Sequence, residues 1–177
     1  MGKTVLIRNV EDLNTLRNEI YSNLNNSVTM IQDIINSTDA LSFFKKVKFE
    51  KTVIDMLTGE PENFAEAIDQ CQTYLVSIMA VEYLLQKHPN TAFTLNLGNV
   101  SGYDIISQDK RIIAECFAST NYSNNRKLDN DLKHLSQDKE ALYKYEFFTD
   151  FKATEKVISN FQKKYPDISI IKFHDTQ

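Results

Sequence analysis

The chain has 177 residues, of which 42% are hydrophobic, and a formal net charge of -4. That length suits one domain, and the apolar content suits a globular core. The acidic balance argues against a broad non-specific nucleic-acid coat and leaves room only for a local basic groove. With four Gly and three Pro, the chain is expected to have few loops and long regular elements. Cys71 and Cys116 sit in apolar runs with no metal-ligand spacing, so they read as buried free thiols in a reducing compartment. The stretch Met1 to Leu13 has no long apolar core, and no signal peptide is expected. The longest apolar stretch, Tyr74 to Leu85, is too short for a membrane span of about 20 residues and carries Glu82. A soluble cytoplasmic protein without membrane contact is the expectation.

Val5, Leu6 and Ile7 predict a short strand or a hydrophobic arm. A helix follows from Glu11 or Asp12, with Leu13, Leu16, Ile20 and Leu24 on one face. Asn25 and Asn26 are read as its stop, and Ser27 as the cap of a second helix carrying Val28, Ile31, Ile34 and Ile35. Phe43, Phe44, Val47, Val53, Ile54 and Leu57 mark one or two further short helices, ended by Gly59. The lysines at 45, 46, 48 and 51 could touch phosphate, although a solvated helix face is the plainer reading. Residues 1–59 thus form a helical region packed on a core spanning 60–177.

Pro61 is placed in the first turn of a helix running to about Lys87, with Glu62 and Glu66 at its positive end. Its half from Tyr74 is apolar nearly all round, as in a central buried helix. Pro89-Asn90 turns the chain into strands. Phe93, Leu95 and Leu97 alternate with polar or small neighbours. Tyr103 to Ser107 is a second strand, Gln108-Asp109-Lys110 a hairpin turn, and Arg111 to Ala118 a third strand. Ser123-Asn124-Asn125 caps a helix from Arg126 to Gln137. A strand at 145–148, a helix at 153–164 and a last strand at 168–173 complete the chain. The fold class is α/β (α+β). The alternation at 93–97 speaks against a wholly helical interaction protein.

Asp104 and Glu115 interrupt otherwise apolar strands, and an acid buried there is costly unless a cation compensates it. Neighbouring strands across a short hairpin bring the two carboxylates to one point. Converging carboxylates repel unless a cation lies between them, and Mg²⁺ takes such oxygen ligands while keeping several waters. The plainer alternatives are that Asp104 satisfies bulge N–H groups and that Glu115 pairs with Arg126 or Lys127. Glu66 then serves only as a first-turn helix acid. His88, His134 and His174 form no triad or metal spacing and read as surface histidines.

The order helix, three strands, helix, strand over residues 61–148 resembles the PD-(D/E)XK nuclease superfamily, the fold of many restriction endonucleases. Gly102-Tyr103-Asp104-Ile105 looks like the Asp half of its motif and Glu115-Cys116-Phe117 like the E-X-K half. The resemblance covers about half of the chain. It implies a restriction-endonuclease-like core and an Mg²⁺- or Mn²⁺-dependent DNA endonuclease acting on double-stranded DNA. Asp104 and Glu115 would be metal ligands, and Glu66 would match an acid that some families place on the first helix. Position 117 departs from the motif, carrying Phe where the family has Lys. Lys127 is the candidate to replace that cation, with Arg126 second. Otherwise the fold would be a catalytically silent module binding nucleic acid or protein. By analogy with small enzymes that cut palindromes, a homodimer is expected.

Overall fold

The computed structural model describes residues 2–173, so His174 lies outside the described residues. In chain order the elements are β1 (Lys3–Ile7), α1 (Val10–Ser37), α2 (Ala40–Phe49), β2 (Val53–Ile54), β3 (Pro61–Glu62), α3 (Phe64–Lys87), β4 (Phe93–Leu97), β5 (Ile105–Ser107), β6 (Ile112–Ser119), a 3-10 turn (Asn124–Arg126), α4 (Lys127–Gln137), β7 (Tyr143–Asp150), α5 (Glu155–Lys164) and β8 (Ile168–Phe173). The fold is mixed α/β, as expected. Six strands form one sheet in the order β1-β4-β5-β6-β7-β8, and β2-β3 is a separate hairpin. Pairs from β1 to β6 are antiparallel, whereas β6, β7 and β8 run parallel. Parallel neighbours need a crossover, and α4 and α5 supply the two crossovers.

Side-chain alternation divides the core into two layers. On one face of the sheet Phe93, Leu95, Ile112, Ala114, Cys116, Tyr145 and Phe147 pack with buried residues of α1 and α3. On the other, Ile113, Phe117 and Phe148 pack with Leu128, Leu132 and Leu135 of α4. Helix α3 supplies Tyr74, Val76, Ile78, Ala80, Val81 and Leu84 to the first layer, in agreement with its nearly all-round apolar sequence.

The N-terminal third departs from the sequence reading in three places. Helix α1 runs unbroken through Asn25 and Asn26. Ser27 is no cap: it is buried, and its hydroxyl accepts from Ile54 N at 3.2 Å and donates to Ile54 O at 3.3 Å. Asparagine costs a helix only a few tenths of a kcal/mol, and packing against β2 and α3 overrides that. Val53 and Ile54 form a strand rather than a helix, because Asp55 Oδ1 accepts from Leu57 N and Thr58 N and turns the chain back onto Pro61–Glu62. Pro61 is therefore in β3. The cap of α3 is Asn63, whose side chain accepts from Ala65 N. Strand β1 also joins the main sheet, its five residues paired with β4, so the region before residue 60 contributes an edge strand as well as helices.

Candidate active site

Strands β5 and β6 are adjacent and antiparallel, ending their ladder at Ile105 opposite Ala114. One step further, Asp104 stands opposite Glu115. Asn96 N–H donates to Asp104 O at 2.8 Å, so the backbone is still held where the strand ends. Gly102 has φ +104, a conformation that an L side chain would strain, and it turns the chain into this position. The Asp104 carboxylate then folds across to β6 and accepts from Cys116 N at 2.8 Å. A side chain thus takes the place of the missing ladder acceptor, which is the bulge-satisfying role weighed from sequence. It also fixes the carboxylate beside Glu115.

Glu115 faces α4 between Ile113 and Phe117, with its side chain 6% exposed. Its partner is neither Arg126 nor Lys127. His134 Nδ1 lies 2.6 Å from Glu115 Oε1, and its ring stacks on Tyr103 with centroids 4.6 Å apart. His134 is exposed, as its reading as a surface histidine expects, but its inner edge contacts Glu115. Histidine 88 likewise has a structural partner, with Nε2 2.8 Å from the Tyr145 hydroxyl.

Two acids not singled out from sequence join the cluster. Glu146 on β7 is directly in register with Glu115 and is wholly buried, and neither of its carboxyl oxygens has a hydrogen-bond partner. Asp131 on α4 is buried too. Its Oδ1 accepts from Lys127 Nζ at 2.8 Å, and its Oδ2 has no partner. The sequence carried both signals. Glu146 interrupts an apolar strand as Glu115 does, and Lys127, Asp131 and His134 follow at spacings of four and three, which put them on one helix face.

These neighbours set the charge state. Burial, and then the Asp104 charge, push the Glu115 carboxyl up to about 9. Asp104 is also raised by burial, against the pull of the Cys116 N–H. Both carboxyls are thus pushed towards their neutral forms, Glu115 by burial and then by the Asp104 charge, and Asp104 by burial. Burial lifts Asp131 to about 6 despite Lys127, and lifts Glu146 well above the usual carboxyl range, with Asp131 and Glu115 adding to the effect. Burial would lower the Lys127 pKa, but the Asp131 carboxylate, and behind it Asp104 and Glu115, outweigh it and hold the ammonium above its usual value. Lys127 keeps 46% of its side chain exposed, so this cation faces both the acids and solvent.

Asp104 also borders an open cleft of about 250 Å³ against α3, where Asp69, Gln70, Thr73 and Ser77 meet Asn96 and Asn99. Glu66 does not line it. It is exposed one turn nearer the start of α3, and the helix acid at the cleft is Asp69. Phe117 is 3% exposed and stacked on Phe148 at 5.2 Å, so the position where the motif has Lys is a core position here. Arg126 is exposed with a left-handed φ of 54° and does not reach Glu115. Among the described residues no three His, Cys, Asp or Glu side chains stand close enough together to hold a metal ion as they are. The donor chemistry still suits a hard cation. Asp104 and Glu115 converge, and Mg²⁺ is commonly held by one or two carboxylates plus waters. No family model, curated protein or solved structure matches the chain.

Proposed function

We propose that the chain is a metal-dependent DNA endonuclease of the PD-(D/E)XK, restriction-endonuclease-like type. One observation carries the reading. Asp104 and Glu115 are driven together at the open end of the β5-β6 pair, inside a helix, three strands, helix, strand order, with Lys127 as the nearby cation. Two carboxylates held close together, Glu115 buried and Asp104 partly so, are an arrangement that a divalent cation relieves. When bound, Mg²⁺ or Mn²⁺ would polarise a phosphoryl oxygen and acidify an attacking water. Asp104 and Glu115 would hold the ion, which requires Glu115 to release its proton. Lys127, aimed by Asp131, would offset charge gathering on the phosphate, the task for which Phe117 is unsuited. His134 would orient Glu115 through Nδ1. Glu66 is too far along α3 to line the cleft, and Asp69 is the better-placed acid for water there.

DNA as substrate, a homodimer and a cytoplasmic location belong to the same proposal. The two buried free thiols fit a reducing compartment, and no helix among the described residues is long and apolar enough to cross a membrane. The test is plasmid nicking with Mg²⁺ or Mn²⁺ by the wild type and by Asp104→Ala and Lys127→Ala. Metal-dependent nicking lost in both variants supports the reading. Nicking retained by Asp104→Ala would place any activity elsewhere. Light scattering that gives a monomer at micromolar concentration would remove the dimer. A second reading, a silent nuclease fold that only binds nucleic acid or protein, is favoured by Phe117 in the core. It predicts no cleavage with either metal.

A further inference from the structure

Helix α2 buries none of its ten residues, yet exposes Leu41 at 65%, Phe44 at 68% and Phe49 at 80%. Isolated short helices are marginal in water, so something besides packing must hold it. Its start is capped by Asp39, and its end is tied to α3 by Asn63 Nδ2 donating to Lys48 O at 2.7 Å. Its two ends are thus anchored while one face stays largely exposed, with Phe44 packed edge-on against Phe43. Leu41, Phe44, Lys45 and Lys48 share that face at positions i, i+3, i+4 and i+7. Lys45, Lys46, Lys48 and Lys51 take no part in the ion pairs seen among the described residues. Between α2 and α3 lies an open cleft of about 420 Å³, lined by Phe44, Val47, Phe49, Phe64 and the stems of the lysines.

A separate cleft borders Asp104 further along α3: Ala65 lines the first, and Asp69 and Thr73, the next two residues on the same stripe, line the second. One helical step from residue 65 to 69 is about 6 Å. The occupant must therefore be anionic, must offer flat apolar surfaces and must be thin enough to follow a helix stripe. A second copy of this chain fits badly, because a two-fold contact would set the lysines against each other. A bilayer fits badly as well, because membrane-surface helices separate apolar and charged residues onto opposite faces, whereas here they share one. Duplex DNA keeps its bases stacked inside and offers Phe44 and Phe49 nothing to stack on. Alternating phosphates and unstacked bases match alternating lysines and phenylalanines.

We propose that α2 and the start of α3 form a docking surface for single-stranded nucleic acid. Phe44 and Phe49 stack on bases, and Lys45 and Lys48 hold phosphates. The further step, that the strand continues along Ala65, Asp69 and Thr73 to Asp104, rests on the phosphodiester-cleaving reading and narrows its substrate to DNA with an unpaired segment.

The test is fluorescence anisotropy in EDTA, where cleavage is blocked, with a labelled oligothymidylate of about 16 nucleotides. The wild type should bind it more tightly than a duplex of equal length. Phe44→Leu with Phe49→Leu keeps apolar bulk but removes both rings, and should weaken binding at least about tenfold. Lys45→Glu with Lys48→Glu should make the salt slope shallower by about 1.4, two contacts at about 0.7 each for single strands. Thermal melts should be unchanged, since none of the four side chains is buried. Equal affinity for duplex, affinity indifferent to the Leu pair, or displacement of the oligonucleotide by phosphatidylserine vesicles or polyglutamate would each overturn the proposal. Oligonucleotide binding without nicking would retire the nuclease reading and leave the docking surface standing. Nicking that ignores the α2 variants would do the reverse.

Discussion

Glu115 ties the charge of the site to the stability of the fold. Its carboxyl is held up at about 9 in the fold against an ordinary 4.5, first by burial and then by Asp104. Between those values the folded protein keeps a proton that the unfolded chain has lost, so stability falls as pH rises, by at most about 1.4 kcal/mol per unit from this group. Asp131, raised to about 6, and Glu146, raised well above the usual carboxyl range by burial, act with the same sign. Asp129, lowered to about 2 by Lys133 and Lys164, titrates below this window. In EDTA the wild type should therefore melt at progressively lower temperature from pH 5 to 9. Glu115→Gln, which keeps the hydrogen bond to His134 without the charge, should flatten the limb above pH 6. A wild-type melting temperature level across pH 6 to 9 would contradict a close pair with Glu115 held neutral. The pair itself was legible in the sequence, because strand alternation and a short hairpin fix which side chains meet. The 127, 131 and 134 spacing put Asp131 and His134 on one helix face, but which strand that face meets is set only by the sheet. Glu146 carried the same signal as Glu115 and was passed over because it lies outside the motif.

At the level of elements, the clearest divergence between sequence and structure is α1. Asn25, Asn26 and Ser27 look like a stop and a cap, but a local signal of that size yields to tertiary contacts. Ser27 serves as a two-way hydrogen-bond pin for Ile54, holding β2 to the helix. Ser27→Ala leaves Ile54 N–H without its partner in a buried setting and should cost about 1–3 kcal/mol. Urea denaturation checks this, and a loss below 0.5 kcal/mol would mean that water replaces the hydroxyl. The same logic explains Pro61. A proline before a polar-acidic pair is compatible with either a first helical turn or an edge strand, and the Asp55 turn decides for the strand. The strands and helices from α3 onward were readable because their periods are unbroken and their turns carry Pro89-Asn90 and the 108–110 hairpin.

For the whole molecule, the candidate site lies where two layers meet, so its charge state is coupled to global stability. A divalent cation that binds only the folded state, displacing the proton on Glu115, should raise the melting temperature by mass action, by about 2.7 kcal/mol at a hundred times its dissociation constant. Millimolar Mn²⁺ or Mg²⁺ should produce this shift at pH 8 more strongly than at pH 6, because the proton competes. Asp104→Asn should remove most of it. A flat response in the wild type would favour the silent binding module. The acidic whole and the lysine-bearing α2 are compatible, since a charge of -4 is spread over the molecule while the lysines are gathered on one short helix.

Strand β1 sets which strand the sheet presents at its edge. It pairs with β4 from Lys3 opposite Leu97 to Ile7 opposite Phe93, so a short strand that carries Lys3 takes the edge position in place of the apolar β4. An uncovered β4 edge, carrying Phe93, Leu95 and Leu97, is a template for strand addition between molecules. Removing residues 2–8 should therefore produce self-association before loss of secondary structure. Size-exclusion chromatography would show this as a shift to large species while circular dichroism still reports helix and sheet. Because the partners are about ninety residues apart in sequence, β4 gains this partner only after about half of the chain has been made, and an unpaired β4 is then open to strand addition from another molecule.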